Sequence, residues 1–122
     1  MRVRVTSVAI ILAVTLTGCA TVDVTKTAKG FFEPTRPDDV EILMSRPSRS
    51  FVELATVSTA NWNTEETAKM HNAMRAKTAP LGAQAVVITD SGIVIIRNSP
   101  KLWCTGFALR YEGPGQTGTP AE

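Results

Sequence analysis

Residues 79–89 read Ala79-Pro80-Leu81-Gly82-Ala83-Gln84-Ala85-Val86-Val87-Ile88-Thr89, and they decide the fold because they stop a helix and start a buried strand within a few positions. Pro80 removes a backbone donor from a last helical turn, and Gly82 suits the left-handed residue that follows a helix end. The β-branched apolar run at 85–89 is strand-forming. Upstream, Asn63 and Glu66 have capping-box spacing, so the helix is expected to start near Thr64, with Glu65 and Glu66 in the first turn where the helix dipole favours them. Its apolar stripe is Thr67, Met70 or His71, Met74, Thr78 and Leu81, a spacing of three and four that gathers them on one side.

Working outward, Asp90-Ser91-Gly92 is turn-forming, 93–97 (Ile-Val-Ile-Ile-Arg) resumes a strand, and Asn98-Ser99-Pro100-Lys101 turns the chain again before a strand at 102–111. In that last strand Gly106 and Ala108 share one face, where small residues let the helix lie close. Trp103, Phe107, Leu109 and Tyr111 line the opposite face. On the N-terminal side, the apolar run 40–44 is a short buried strand broken by Pro47. Residues 50–58 alternate with period two: Phe51, Glu53, Ala55 and Val57 against Val52, Leu54, Thr56 and Ser58. Residues 59–63 connect this strand to the helix and carry Trp62. The expected architecture is α+β: one helix on a small mixed or antiparallel sheet of about four to five strands, in the order β-β-α-β-β-β, over residues 40–111.

The N-terminus carries a different signal. Arg2 and Arg4 precede an apolar run of 5–16, which meets Leu16-Thr17-Gly18-Cys19. This pattern resembles the lipobox of bacterial lipoproteins, with Gly18 as the small residue before cleavage and Cys19 as the new N-terminus. The resemblance implies covalent lipid on Cys19, several acyl chains and stable anchoring. The run is too short for a membrane span of about 20 residues; an ordinary secretory signal that leaves Cys19 as a thiol is the other reading. Ala20 after the cysteine resembles outer-membrane sorting in a host with two membranes. Residues 1–18 are then a signal peptide, 19–39 a lipidated cysteine and flexible tether, and 112–122 (Glu-Gly-Pro-Gly-Gln-Thr-Gly-Thr-Pro-Ala-Glu) a disordered tail.

Cleavage changes the charge. The chain has 13 Lys+Arg and 11 Asp+Glu, and loss of Arg2 and Arg4 brings the two counts level. The basic excess belongs to the export signal, and nothing supports a nucleic-acid partner, which needs a concentrated basic face. With Cys19 acylated, Cys104 has no partner within the chain. It is either buried in a strand as a small hydrophobe, a free reactive thiol, or bonded to a second chain.

Three segments carry a family resemblance: Phe51-Val-Glu-Leu-Ala-Thr-Val, Ala79-Pro-Leu-Gly-Ala-Gln-Ala-Val-Val-Ile, and Cys104-Thr-Gly-Phe-Ala-Leu-Arg-Tyr. Together they resemble small bacterial envelope lipoproteins that include the RcsF-like stress sensors and the YbjQ-like domains. Leu81-Gly82-Ala83, Ala85-Val86-Val87 and Gly106-x-Ala108 are the matching packing signatures, over about residues 37–111. The resemblance implies a compact α+β domain on an outer-membrane lipid anchor. The chain departs from the stress-sensor pattern of paired cysteines, since Cys104 is alone in the domain.

Side-chain chemistry is sparse. His71 is the single histidine, and no nucleophile-elbow pattern surrounds Ser58, Ser91 or Cys104, so no enzyme activity or small-molecule substrate is expected. Glu65 and Glu66 splay around the helix, and Asp38 and Asp39 fall in the tether. Met70, His71, Met74 and Cys104 are soft donors that suit copper(I) or zinc as the alternative function, although Met70 and His71 point about 100° apart on the helix. The favoured expectation is a non-enzymatic, lipid-anchored, periplasm-facing outer-membrane protein without a cofactor beyond the lipid on Cys19. It associates with an envelope protein or with itself, as a sensor or accessory factor, through Trp103, Phe107, Leu109 and Tyr111, a face covered in isolation by Phe31 and Phe32.

Overall fold

A computed structural model describes residues 20–112; residues 1–19, with the expected signal peptide and Cys19, and residues 113–122 lie outside the described residues. Strands β1 (Thr21–Lys26), β2 (Glu41–Leu43) and β3 (Phe51–Asn63) precede helix α1 (Thr67–Thr78), which is followed by β4 (Ala85–Ile96) and β5 (Ser99–Tyr111). The sheet order is β1-β3-β5-β4-β2. All neighbours are antiparallel except the parallel pair β2–β4. The fold is α+β as expected, one helix on a five-stranded mixed sheet, but with three strands before the helix and two after it.

The first difference is β1, which falls in the expected tether. Its β-branched residues alternate: Val22 and Val24 turn half-buried toward the helix-side core, while Thr21, Asp23 and Thr25 are exposed. The row pairs with β3 from Thr21 opposite Ala60 to Lys26 opposite Ala55. The segment that follows is also tied down. Thr27 and Ala28 both donate to the Leu54 carbonyl, and Thr35 donates its N–H to Ala79 and its hydroxyl to Ala83. A β-branched polar stretch becomes a strand here because β3 offers it an edge, and the segment after it ends on the fully buried Val40 just before β2.

The second difference is that β4 runs straight through Asp90-Ser91-Gly92. Thr89 is the extra residue of a bulge between Ile88 and Asp90, the Asp90 carboxylate accepts the Ser91 N–H at 3.0 Å, and the Trp103 indole lies against Gly92, where a Cβ would meet it at 3.0 Å. The three polar residues are thus absorbed into a bulged strand. The reversal falls at Arg97 and Asn98, with φ of 54° and 66°, a two-residue primed hairpin turn. The β3 strand also outruns its expected end: Asn61, at φ 72°, sits at an irregularity that lets Trp62 and Asn63 pair with Leu102 and Lys101.

Helix α1 begins at Thr67 because only half of the capping box forms. The Asn63 N–H donates to Glu66 Oε1 at 2.8 Å, and this bond, above all, holds the Glu66 carboxyl below its ordinary pKa. Asn63 Oδ1, the other half of the box, instead accepts from Lys101 at 2.7 Å. The helix buries Met70, Met74 and Thr78 against Leu54, Val57, Val86, Ile88, Cys104 and Ala108. Gly82 closes its far end at φ 93°. Gly106 is small for a different reason than helix approach, since a Cβ there would collide with the Val87 carbonyl.

The opposite face of the sheet holds Ala85, Val87, Phe107 and Leu109, flanked by Leu43, Phe51 and Tyr111. It is closed. The link from β2 to β3 carries Arg46, whose guanidinium lies 5.2 Å from the Phe51 ring and 5.0 Å from the Phe107 ring, and Arg49, 3.9 Å from the Tyr111 ring. Phe51 and Phe107 stack with centroids 5.8 Å apart. Phe31 and Phe32 do not serve as the cover: Phe31 is 86% exposed, and Phe32 packs on the helix side, beside Gly82 and under Arg110.

Candidate functional site

The parallel pairing of β2 with β4 ends at Leu43 opposite Val87. Beyond that point no strand among the described residues pairs with the outer edge of β4. The gap beside it opens into a groove of about 220 Å³ between the first turns of α1 and the β4–β5 arm, with Ile88 and Cys104 at the sheet and Met44, Met70, His71 and Trp103 around them. Met44 is 67% exposed. The lining is mainly apolar, and a free strand edge runs along one wall. Such an arrangement can take an extended segment whose backbone continues the ladder and whose apolar side chain fills the groove.

The expected interaction residues therefore divide. Trp103 lines the groove, whereas Phe107 and Leu109, at 6% and 0% exposure, and the half-buried Tyr111 belong to the closed face. Alternation groups Trp103 with Phe107, Leu109 and Tyr111, but it does not show the arginines that lie over Phe107 and Tyr111. Trp62 is structural: its indole donates to Thr59 Oγ1 at 2.7 Å, and that hydroxyl donates to the Thr21 carbonyl, which pins β1. Met44 and Leu102 join the groove without having been singled out. Only a tertiary gap at the end of β2 gives them a role.

The soft donors are partly assembled. Met70, His71 and Cys104 line the groove, and the Cys104 thiol donates to Met74 Sδ at 3.5 Å in the core. Burial raises the Cys104 pKa, which works against a thiolate ligand. It also lowers that of His71, with Arg75 adding to the effect, so the imidazole is neutral near pH 7. Among the described residues no group of three or more His, Cys, Asp or Glu is placed to hold a metal ion. Ser91 also lines the groove, and Ser58 is exposed on β3. Glu65, Asp38 and Asp39 are exposed. Gly18 and Cys19 lie outside the described residues, and among those described no helix is long and apolar enough to cross a membrane.

No family model and no curated protein matches the chain. Among solved structures it is similar to the Francisella virulence factor FvfA in its orthorhombic crystal form, with a TM-score of 0.52 and 13% identity over 73% of this chain and 96% of that one. At that identity the likeness is one of fold.

Proposed function

We propose that this chain is a non-enzymatic lipoprotein of the outer membrane, anchored through lipid on Cys19, whose domain binds an extended segment of another envelope protein. The observation that carries the reading is the apolar groove beside the unpaired edge of β4, on a domain whose first strand starts two residues after the lipobox cysteine. Strand addition gives affinity through backbone bonds, and the groove gives selectivity through a side chain. The resemblance to RcsF-like and YbjQ-like envelope proteins supports the same location and a sensor or accessory role.

Two experiments test the two halves. Radioactive palmitate labels the protein but not Cys19→Ser, and a variant that still labels refutes the anchor. A photo-crosslinking residue at Met44 captures one envelope protein in intact cells, while the same residue at Lys77 does not; equal capture at both positions refutes the groove.

A second reading is a soft-metal site at Met70, His71, Met74 and Cys104, favoured by the 3.5 Å approach of Cys104 Sγ to Met74 Sδ. Uptake of copper(I) under reducing conditions, lost in His71→Ala, supports it; no uptake refutes it.

A further inference from the structure

Four of the six large apolar side chains that the described residues expose are consecutive: Ile93 (58%), Val94 (42%), Ile95 (64%) and Ile96 (39%). They form the outer strand of the hairpin that closes at Arg97-Asn98. Both faces of a strand are apolar here, with no acidic residue from 91 to 111. A long apolar edge of this kind is a liability unless something covers it.

The topology indicates what does. One transverse row of the sheet runs Thr21, Ala60, Trp103, Gly92. Strand β1 enters the sheet at this row, so Ala20 precedes it on the side toward which the hairpin projects. Cys19 is two Cα steps from Thr21, at most about 7 Å. The hairpin continues four residues beyond Gly92 to Ile96, about 13 Å at the rise of a strand. The tip thus reaches past the point where the anchor is attached. Its exposed charge is Arg97, and Trp62 and Trp103 stand at its base, the residue types that favour a headgroup interface.

The geometry points to a lipid surface as the occupant of this hairpin: Ile93–Ile96 insert at the bilayer interface beside the Cys19 lipid and fix the orientation of the domain. This rests on the lipid anchor proposed above. The tip acts as a second contact that turns a point attachment into a defined pose, with α1 rising from the membrane-near end at Thr67 to the far end at Thr78. The groove then opens just above the headgroups, where a partner segment emerging from the same membrane reaches it.

The test uses the acylated mature chain in phosphatidylethanolamine–phosphatidylglycerol vesicles (3:1), with an environment-sensitive fluorophore on Ile95→Cys or, at the far end, on Lys77→Cys; Cys104 is buried. Brominated lipid is expected to quench the label at 95 at least threefold more than the label at 77. A parallel arm replaces Cys19 by a hexahistidine tether on nickel-chelating lipid, so the hairpin is tested even where acylation fails. Equal quenching at the two positions on both anchors overturns the proposal. So does energy transfer between differently labelled copies at 95 in place of lipid quenching, which would assign the hairpin to a second copy.

Discussion

The Cys104 thiol donates to the thioether of Met74 across the helix–sheet interface at 3.5 Å, and both residues are fully buried. Each plugs the other's side of the core. Met74→Ala is expected to cost about 2–5 kcal/mol, as for other deletions of a buried long side chain, and to open a path to the thiol. Urea unfolding measures the first. A thiol reagent that leaves Cys104 unmodified in the folded wild type but modifies it in Met74→Ala below the unfolding midpoint measures the second.

Gly106 pairs with Ile88 beside the β4 bulge, with the Val87 carbonyl in the space a Cβ would take. Gly106→Ala is expected to lose about 3 kcal/mol through overpacking against rigid backbone. Ala108→Gly, on the same strand, is expected to lose less, about 1 kcal/mol, from backbone entropy. Thermal unfolding of the two variants side by side decides this; equal losses would refute the clash.

The Arg46 guanidinium shields the stacked pair Phe51 and Phe107. Arg46→Ala is expected to cost about 1 kcal/mol in lost cation–π and packing contact and to increase binding of a hydrophobic dye at that face. Arg46→Lys keeps the charge but not the planar stack, and recovers only part of the loss.

His71 gives the fold a pH dependence of known sign. Burial, then Arg75, lowers its folded pKa below the unfolded value of about 6.5. Between the two values the unfolded chain binds more protons, so stability rises with pH and falls on acidification below about 6.5. His71→Gln is expected to flatten this window. Glu66, whose folded pKa is also lowered, contributes stability that disappears in a separate window below about 4.5, reported by Glu66→Gln.

Trp62 ties β1 to the sheet through Thr59 and the Thr21 carbonyl. Trp62→Phe is expected to cost about 1 kcal/mol for the lost bond and to speed amide exchange at residues 21–26 more than in β5. Exchange that rises uniformly across the sheet would mean that the indole supports the whole core and not the edge strand.

The local sequence determined the helix and its buried stripe of Met70, Met74 and Thr78, the strand character of 85–88 and 102–111, and the helix stop at Pro80-Leu81-Gly82, because periodicity and backbone preference act within a few residues. It is also the whole basis for reading Cys19 as an anchor. Tertiary structure decided the rest. Residues 21–26 have strand propensity but become a strand only against the edge of β3. Asp90-Ser91-Gly92 read as a turn in isolation, yet the Thr89 bulge and the Trp103 ring hold them in line, and the reversal passes to Arg97-Asn98. Which sheet face stays open could not follow from alternation, since it depends on arginines brought over Phe107 and Tyr111 by a link about sixty residues upstream. The groove, likewise, exists because β2 stops at Leu43 while β4 runs on to Ile96. Pairing and coverage are gained only between segments distant in the chain, so they are settled when the fold closes.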